Sequence, residues 1–482
     1  MLFNSLSFLI FFPVITLLFF LLPHKFRWIL LLLASSFFYM FFKPIYILIL
    51  LSTIIIDYYA GIKIEEGRDK KKKKLFLVIS IIANIGVLAV FKYFDFINQN
   101  ITDLLVECGF KNPIPFLNIL LPVGLSFHTF QAMSYTIEVY RGNQKSERHF
   151  GIYALYVMFY PQLVAGPIER PQNIIHQFKE PKRFEYSNVS AGLKLMIFGF
   201  FKKLVIADNL AVGVDEVYNH LQLYHGLALA TATFFFAIQI YCDFSGYSDI
   251  ALGAAKVMGF KLMSNFDRPY SSGSISEFWS RWHISLSSWF KDYLYISLGG
   301  NRVKISRLYF NLFVVFLVSG LWHGASWTFV IWGALHGFYL IFALITKEAG
   351  LKIKFFFKRH QLLFLLNCFN VIAVFILVSF AWIFFRAKTL QDALYVIKNL
   401  LDIKAIDIKR DLYLNQGQDF FIISFLMIGF MELVQFLESR KNSLLFNNPS
   451  LIIRWSFCTL LVFMICVFGI YHQNSEFIYF QF

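Results

Sequence analysis

Apolar runs long enough to cross a bilayer recur along almost the whole chain. A helical span needs about 20 predominantly apolar residues, fewer if it is short or re-entrant. Candidates fall at 6–22, 27–42, 45–60, 75–96, 117–139, 150–165, 190–207, 227–246, 308–322, 325–346, 361–385, 419–437 and 451–471. The segments 150–165 and 190–207 are short or carry lysines, and 308–346 is interrupted by glycines, so some of these are read as re-entrant or interfacial. Composition points the same way. Charged residues make up 15% and hydrophobic residues 58%, with a mean hydropathy of +0.61. A soluble domain carries about 25% charge. A soluble chain of 482 residues would divide into about three domains. This one shows a single hydrophobic body without a Gly/Ser- or Pro-rich linker. The reading is an all-α polytopic membrane protein with short loops.

Lys+Arg 44 against Asp+Glu 29 leaves a net charge of +15. In a soluble protein this would suggest nucleic acid. Here cytoplasmic loops collecting Lys and Arg explain it, and no nucleic-acid-binding motif accompanies the charge. The strongest marker is 63–74, with Lys63, Arg68 and the run Lys70 to Lys74. Read as a cytoplasmic loop, it puts the N-terminus outside. Lys347–Arg359 reads as another cytoplasmic loop, and the last three spans then leave the C-terminus outside. The first apolar run lacks a basic n-region and a small-residue cleavage site, so it reads as a retained helix rather than a signal peptide. The five cysteines are scattered without a C-x-x-C pair, so neither a zinc site nor a disulfide framework is indicated. Segments 171–189 and 264–307 are the long polar stretches. The second alternates aromatic and basic residues, as amphipathic helices at a membrane surface do.

Ionisable residues inside a membrane are functional candidates. His323 sits in "SGLWHGASW" with no charge from Arg307 to Lys347. A neutral imidazole there would serve as a general base; equally, it would suit a helix-packing histidine bonded to a carbonyl. His336 lies thirteen residues on, roughly 220° around and about 20 Å along a straight helix. The two cannot share a site on one straight helix. Gly320, Gly324, Gly333 and Gly337 form two G-x-x-x-G pairs, a packing device or the mark of a break, and His336 reads as structural. His283, in "SRWHISLSSW", reads either as lining a mouth toward His323 or as an interfacial histidine beside Trp279 and Trp282. His128 carries a weaker signal. Asp243 and Asp249, in "YCDFSGYSDIALG", face different ways on a helix; they would orient a histidine, line a polar tunnel or satisfy a kink at Gly246. No G-x-S-x-G, P-loop, H-E-x-x-H or G-x-G-x-x-G is present.

Six segments in order carry a resemblance: "LPVGLSFHTFQAMSYTIEVYRG" (121–142), "YPQLVAGPIERP" (160–171), "YCDFSGYSDIALG" (241–253), "NFDRPYSSGSISEFWSRWHISLSSWFKDYLYISLGGNR" (265–302), "SGLWHGASWTFVIWGALHG" (319–337) and "FIYFQF" (477–482). The chain resembles the membrane-bound O-acyltransferase family, in its bacterial alginate/peptidoglycan O-acetyltransferase branch, almost end to end. The resemblance implies one integral membrane acyltransferase domain over 1–482. It implies a ring of roughly 11–13 transmembrane or re-entrant helices around a central funnel and tunnel, with 264–307 a partly interfacial motif region and 472–482 an extracytoplasmic aromatic tail. It implies His323 as the catalytic residue and His283 as the second site histidine. It implies acetyl-CoA as donor without a metal, and membrane lipid as surroundings. It also implies a secreted or membrane-anchored SGNH-type acyltransferase as partner and a polysaccharide as the indirect acceptor, at the bacterial inner membrane. One branch of the family transfers D-alanine from a carrier-protein thioester. That reaction competes with the acetyl reading, as do a transporter and a non-catalytic scaffold for a secreted acyltransferase. Tyr479, in the aromatic tail, is expected to fold back toward the site, where its hydroxyl would act as an acyl relay.

Overall fold

The computed structural model describes every residue except 118, 120, 165, 403–411, 440–444, 447, 449, 472–476 and 479–482. The described residues form helices and connecting turns. Eight of these helical segments are long and apolar enough to cross a membrane: 46–66, 70–107, 226–257, 305–323, 327–345, 363–386, 418–438 and 451–468. Many of their outward side chains are bare apolar groups, such as Ile82, Ile85, Phe364, Phe369, Ile372 and Ile376. Contiguous apolar surface of this kind suits hydrocarbon, not water. The protein is therefore an all-α, multi-pass membrane protein.

The chain divides into two compact units, residues 1–196 with 248–263 and residues 197–247 with 264–482. The first unit opens with α1 (Leu6–Leu21), α2 (His24–Met40), α3 (Tyr46–Glu66) and α4 (Lys70–Leu88). A π-helical turn joins α4 to α5 (Phe94–Glu107), so the helix runs well past the end expected near residue 96. The lysine run is not a loop either. Lys70 to Lys74 form the first turn of α4, and Asp69 caps it by accepting from the Lys71 N–H at 2.9 Å. Cations at a helix N-terminus oppose the macrodipole; the capping carboxylate offsets this. Next come α6 (Leu125–Arg141), α7 (Phe150–Met158), α8 (Tyr160–Leu163) and α9 (Pro171–Lys179). The candidate spans at 117–139 and 150–165 are thus shorter helices, and nearly every residue of α6 and α7 is buried in protein. Asp57 of α3 is buried among Ser80, Asn84 and Thr136: Ser80 Oγ donates to it at 2.6 Å and Asn84 Nδ2 at 2.9 Å.

The helix α10 (Tyr186–Phe200) leads into a π-helical turn, Phe201–Ala207, and then α11 (Asp208–Asn219). Of the eight long apolar segments, the 32-residue α12 (Gly226–Val257) is the most enclosed: 83% of its apolar window is buried, against 17% for 70–107. The second unit continues with α13 (Ile275–Arg281) and α14 (Ile284–Trp289), a π-helical turn at Phe290–Tyr295, α15 (Ile305–His323) and α16 (Trp327–Ile345). It closes with α17 (Lys347–Arg359), α18 (Leu363–Arg386), α19 (Leu390–Asn399), α20 (Gln418–Glu438) and α21 (Leu451–Phe468). Lys347–Arg359, expected as a loop, is an exposed helix. Within 264–307, Trp279, Trp282 and Trp289 are all buried, the first two in the core of the second unit.

The helices α15 and α16 make the closest backbone approach relevant to the site. A Cβ added at Gly320 or Gly333 would lie 3.3 Å from the other's Cα. It would also overlap a backbone carbonyl oxygen, that of Phe329 or Phe316 respectively. Small residues let helices touch in this way. Gly320→Ala and Gly333→Ala should each destabilise the protein by about 1–3 kcal/mol, the cost of overpacking. Gly350→Ala in α17, where a Cβ meets nothing within 4 Å, should leave stability unchanged or improved. Thermal unfolding of the three variants in detergent checks this; equal midpoints would contradict it.

Candidate active site

The helix α15 ends at His323 because the chain turns extended at Gly324 (φ −159°, ψ 149°). Ser326 then starts α16, its hydroxyl accepting from the Thr328 N–H at 3.2 Å. His323 and His336 therefore stand on two packed helices, not on one rod. The glycines serve both purposes open in the sequence: Gly320 and Gly333 pack the pair, and Gly324 lies at the break.

His283 is held differently. It precedes α14 in the left-handed region, at φ 43° and ψ 56°. Histidine visits that region more than most residues but at some cost. Neighbouring backbone bonds fix it there. The Ile284 N–H donates to the Asn265 carbonyl at 2.9 Å, the Asp267 N–H to the Arg281 carbonyl at 3.0 Å, and the Ser287 N–H to the His283 carbonyl at 2.9 Å. His283 is fully buried, so it is neither a mouth residue nor part of an interfacial belt. Burial pushes its imidazole down to about 3. The ring is neutral at ordinary pH.

Tryptophans link the three histidines. The Trp322 ring lies 6.1 Å from His283 and 4.9 Å from His323. The Trp332 ring lies 4.9 Å from His323 and 4.9 Å from His336. Phe385 closes over His323 at 5.4 Å. His323 is 4% exposed, and Trp332 and His336 are 0%. Such an enclosure excludes bulk water, which strengthens any electrostatic interaction inside it. The Trp332 indole N–H has no hydrogen-bond partner among the described residues. His336 is committed to packing: the Trp279 indole N–H donates to its Nδ1 at 3.3 Å, which leaves the proton on Nε2. The ring sits among Trp279, Trp332, Phe316 and Tyr339.

Next to this row lies a buried charge cluster that sequence reasoning passes over. Lys203 pairs with Asp208 at 2.8 Å and with Asp243 at 2.7 Å. Lys202 donates to Ser245 Oγ at 3.0 Å. Both lysines are displayed by the π-helical turn Phe201–Ala207, a device common at functional sites. The signal is present in "FFKKLVIAD", two lysines and an aspartate in an apolar run, which is a functional hypothesis by default. In the sequence these lysines weigh first as an obstacle to a span, and nothing local ties them to the histidines. Asp243 adjoins Phe244, whose ring packs on His283 at 4.6 Å. Gly246 holds no kink: α12 runs through it, and a side chain there would strike the Gly199 carbonyl. Asp249 and the buried His128 belong to the first unit, whereas the histidine row belongs to the second. Tyr479 lies outside the described residues, but its neighbours Phe477 and Ile478 are buried.

Three buried histidines thus stand in one aromatic cluster of a multi-pass helical membrane protein. Residues 148–386 match the model of the MBOAT, membrane-bound O-acyltransferase family. The chain is 34% identical over 467 residues to the peptidoglycan O-acetyltransferase of Helicobacter pylori, covering 89% of this chain and 86% of that protein. It is 36% identical over 395 residues to the probable alginate O-acetylase AlgI of Pseudomonas aeruginosa, covering 82% and 73%. A more distant match is the teichoic acid D-alanyltransferase of Bacillus subtilis, 28% identical over 232 residues, covering 45% and 58%. The chain belongs to the membrane-bound O-acyltransferase family and is an O-acyltransferase.

His336→Phe keeps the apolar packing but leaves the Trp279 N–H without an acceptor. It should cost about 1–3 kcal/mol of stability. A melting temperature equal to wild type would show that the bond is unimportant.

Proposed function

We propose that this protein is a membrane O-acetyltransferase that takes acetyl from a cytoplasmic thioester, acetyl-CoA, and delivers it for O-acetylation of an extracytoplasmic polysaccharide. One observation supports this most: His323, at the end of α15, is enclosed by Trp322, Trp332 and Phe385, with the His283 ring 6.1 Å from the same Trp322. The acetyl reading is preferred to D-alanyl transfer because the acetyltransferase relatives match over 82–89% of this chain, the D-alanyltransferase over 45%.

In this reading His323 is the general base. It accepts the proton of an incoming hydroxyl as that oxygen attacks the thioester carbonyl. The C–S bond breaks, the ester C–O bond forms, and the thiolate leaves with the proton His323 took. A thioester is already activated, so a positioned hydroxyl and a base suffice. His283, neutral and locked by its backbone, orients the reacting groups across Trp322. The first acceptor hydroxyl is that of Tyr479, from which an SGNH-type acyltransferase outside the membrane passes the acetyl group to the polysaccharide. The basic residues of 63–74 lie on the cytoplasmic face of the bacterial inner membrane, and both termini lie outside.

Two results test the assignment. His323→Ala should lower acetyl transfer by about 10²–10⁴-fold, as loss of a base does, with normal abundance. His283→Ala should also lower it strongly, and His336→Ala least. CoA release from acetyl-CoA by purified protein measures this, and near-normal release by His323→Ala removes it from the mechanism. Tyr479→Phe deletes one hydroxyl and keeps the ring. It should abolish labelling of the protein by acetyl-CoA and acetylation of polysaccharide in cells; normal rates would reduce the tail to an anchor.

A further inference from the structure

Beyond α21, two described points tie the tail to the second unit. The first is where α21 ends: Asn209 Nδ2 donates to the Phe468 carbonyl at 2.9 Å, and the Ile470 N–H to the Leu204 carbonyl at 3.3 Å. The second is Phe477–Ile478, buried to 1% and 3% exposure. The Ile478 N–H donates to Asp243 Oδ2 at 2.7 Å, while Asp243 Oδ1 pairs with Lys203 at 2.7 Å. Phe477 packs on Tyr247 at 4.7 Å and on Phe244 at 5.4 Å. Phe244 in turn packs on His283 at 4.6 Å. One turn of α12, from Asp243 to Tyr247, thus grips the tail with a carboxylate and two rings, and one of those rings touches the site histidine.

We propose that Asp243 is a positioning residue: it latches the tail by its Ile478 amide. This rests on the acyl-transfer reading above. The chemistry suits a latch. A carboxylate accepting a backbone N–H is a strong, charge-assisted bond in a buried setting. It takes an amide whatever the side chain, so it holds the backbone at Ile478 while the Phe477 ring packs on Tyr247 and Phe244. Lys203, paired with both Asp208 and Asp243, balances the charge of the Asp243 carboxylate and aims it. An unpaired buried carboxylate would be costly, and the ion pair removes that cost without occupying Oδ2. Tyr479 is the next residue in sequence, so a latch at Ile478 acts one residue from the relay hydroxyl.

Amide hydrogen exchange of the peptide containing Phe477 and Ile478, in the full-length protein in detergent, reads the latch directly. Asp243→Ala should speed exchange of the Ile478 amide by about ten- to hundredfold, the loss expected for a hydrogen bond to a charged group. Acetyl transfer should fall to the level of a chain truncated after Tyr471. The truncation and Asp243→Ala combined should lower transfer per folded molecule no further than either alone, because Asp243 bears on transfer through the tail. Ile478→Pro removes the donor N–H without removing either partner of the buried ion pairs, so it should lower transfer to the same level while lowering the melting temperature no more than Asp243→Ala does. Unchanged exchange in Asp243→Ala, a further loss of activity in the combined variant, or full activity in Ile478→Pro would each overturn the latch. If wild-type protein releases no CoA while the exchange still depends on Asp243, the latch stands and only the acyl-transfer reading falls.

Discussion

Two helix backbones touch at Gly320 and Gly333, and the position of the site residues follows from that contact. With no side chain between them, α15 and α16 come close enough for Trp332 on one to reach His323 on the other. Trp332 also meets His336 on its own helix. A Cβ at either glycine would push the helices apart and separate the imidazole from the indole that walls it. In a bilayer there is little hydrophobic gain from bringing helices together, so close van der Waals packing must supply it. The two glycines provide the packing and the chamber at once.

Charge in this interior is handled by pairing. Lys203 answers two aspartates, Asp208 and Asp243. Asp57 in the first unit is instead surrounded by hydroxyl and amide donors. Desolvating an ion is expensive, and removing one partner from a buried pair is worse than never having the pair. A cluster kept despite that expense fits a positional role, which Asp243 exerts through the oxygen that takes the Ile478 amide. The carboxylate, the Phe244 ring and the His283 ring follow one another in space, so one short stretch of α12 joins the ion cluster to the site.

Much of the site is legible in the sequence because its residue types are out of place in an apolar run. His323, His283 and Asp243 stand out against their surroundings, and the break after His323 is open to inference from Gly324. The Lys202–Lys203 pair carries the same signal but reads first as an obstacle to a span. Burial is harder to read. In a soluble helix, apolar residues mark the inward face. In a membrane protein the lipid-facing side is apolar as well, so periodicity does not separate inside from outside. Hence α6 and α7, enclosed in protein, look like spans, and Trp279 and Trp282, enclosed in the core, look like an interfacial belt.

The sequence by itself determined the membrane class, the all-helical architecture and the family, because hydropathy over about twenty residues and ordered motifs are local properties of the chain. It also marked His323 and His283 as the residues to watch. Only the tertiary structure decided that these histidines share a tryptophan between them, that His336 is bound to Trp279, and that Asp243 holds the amide of Ile478. Those contacts join residues 39, 57 and 235 positions apart. They depend on helix crossings and a left-handed turn at His283, geometry set by packing against distant elements and not by the residues on either side.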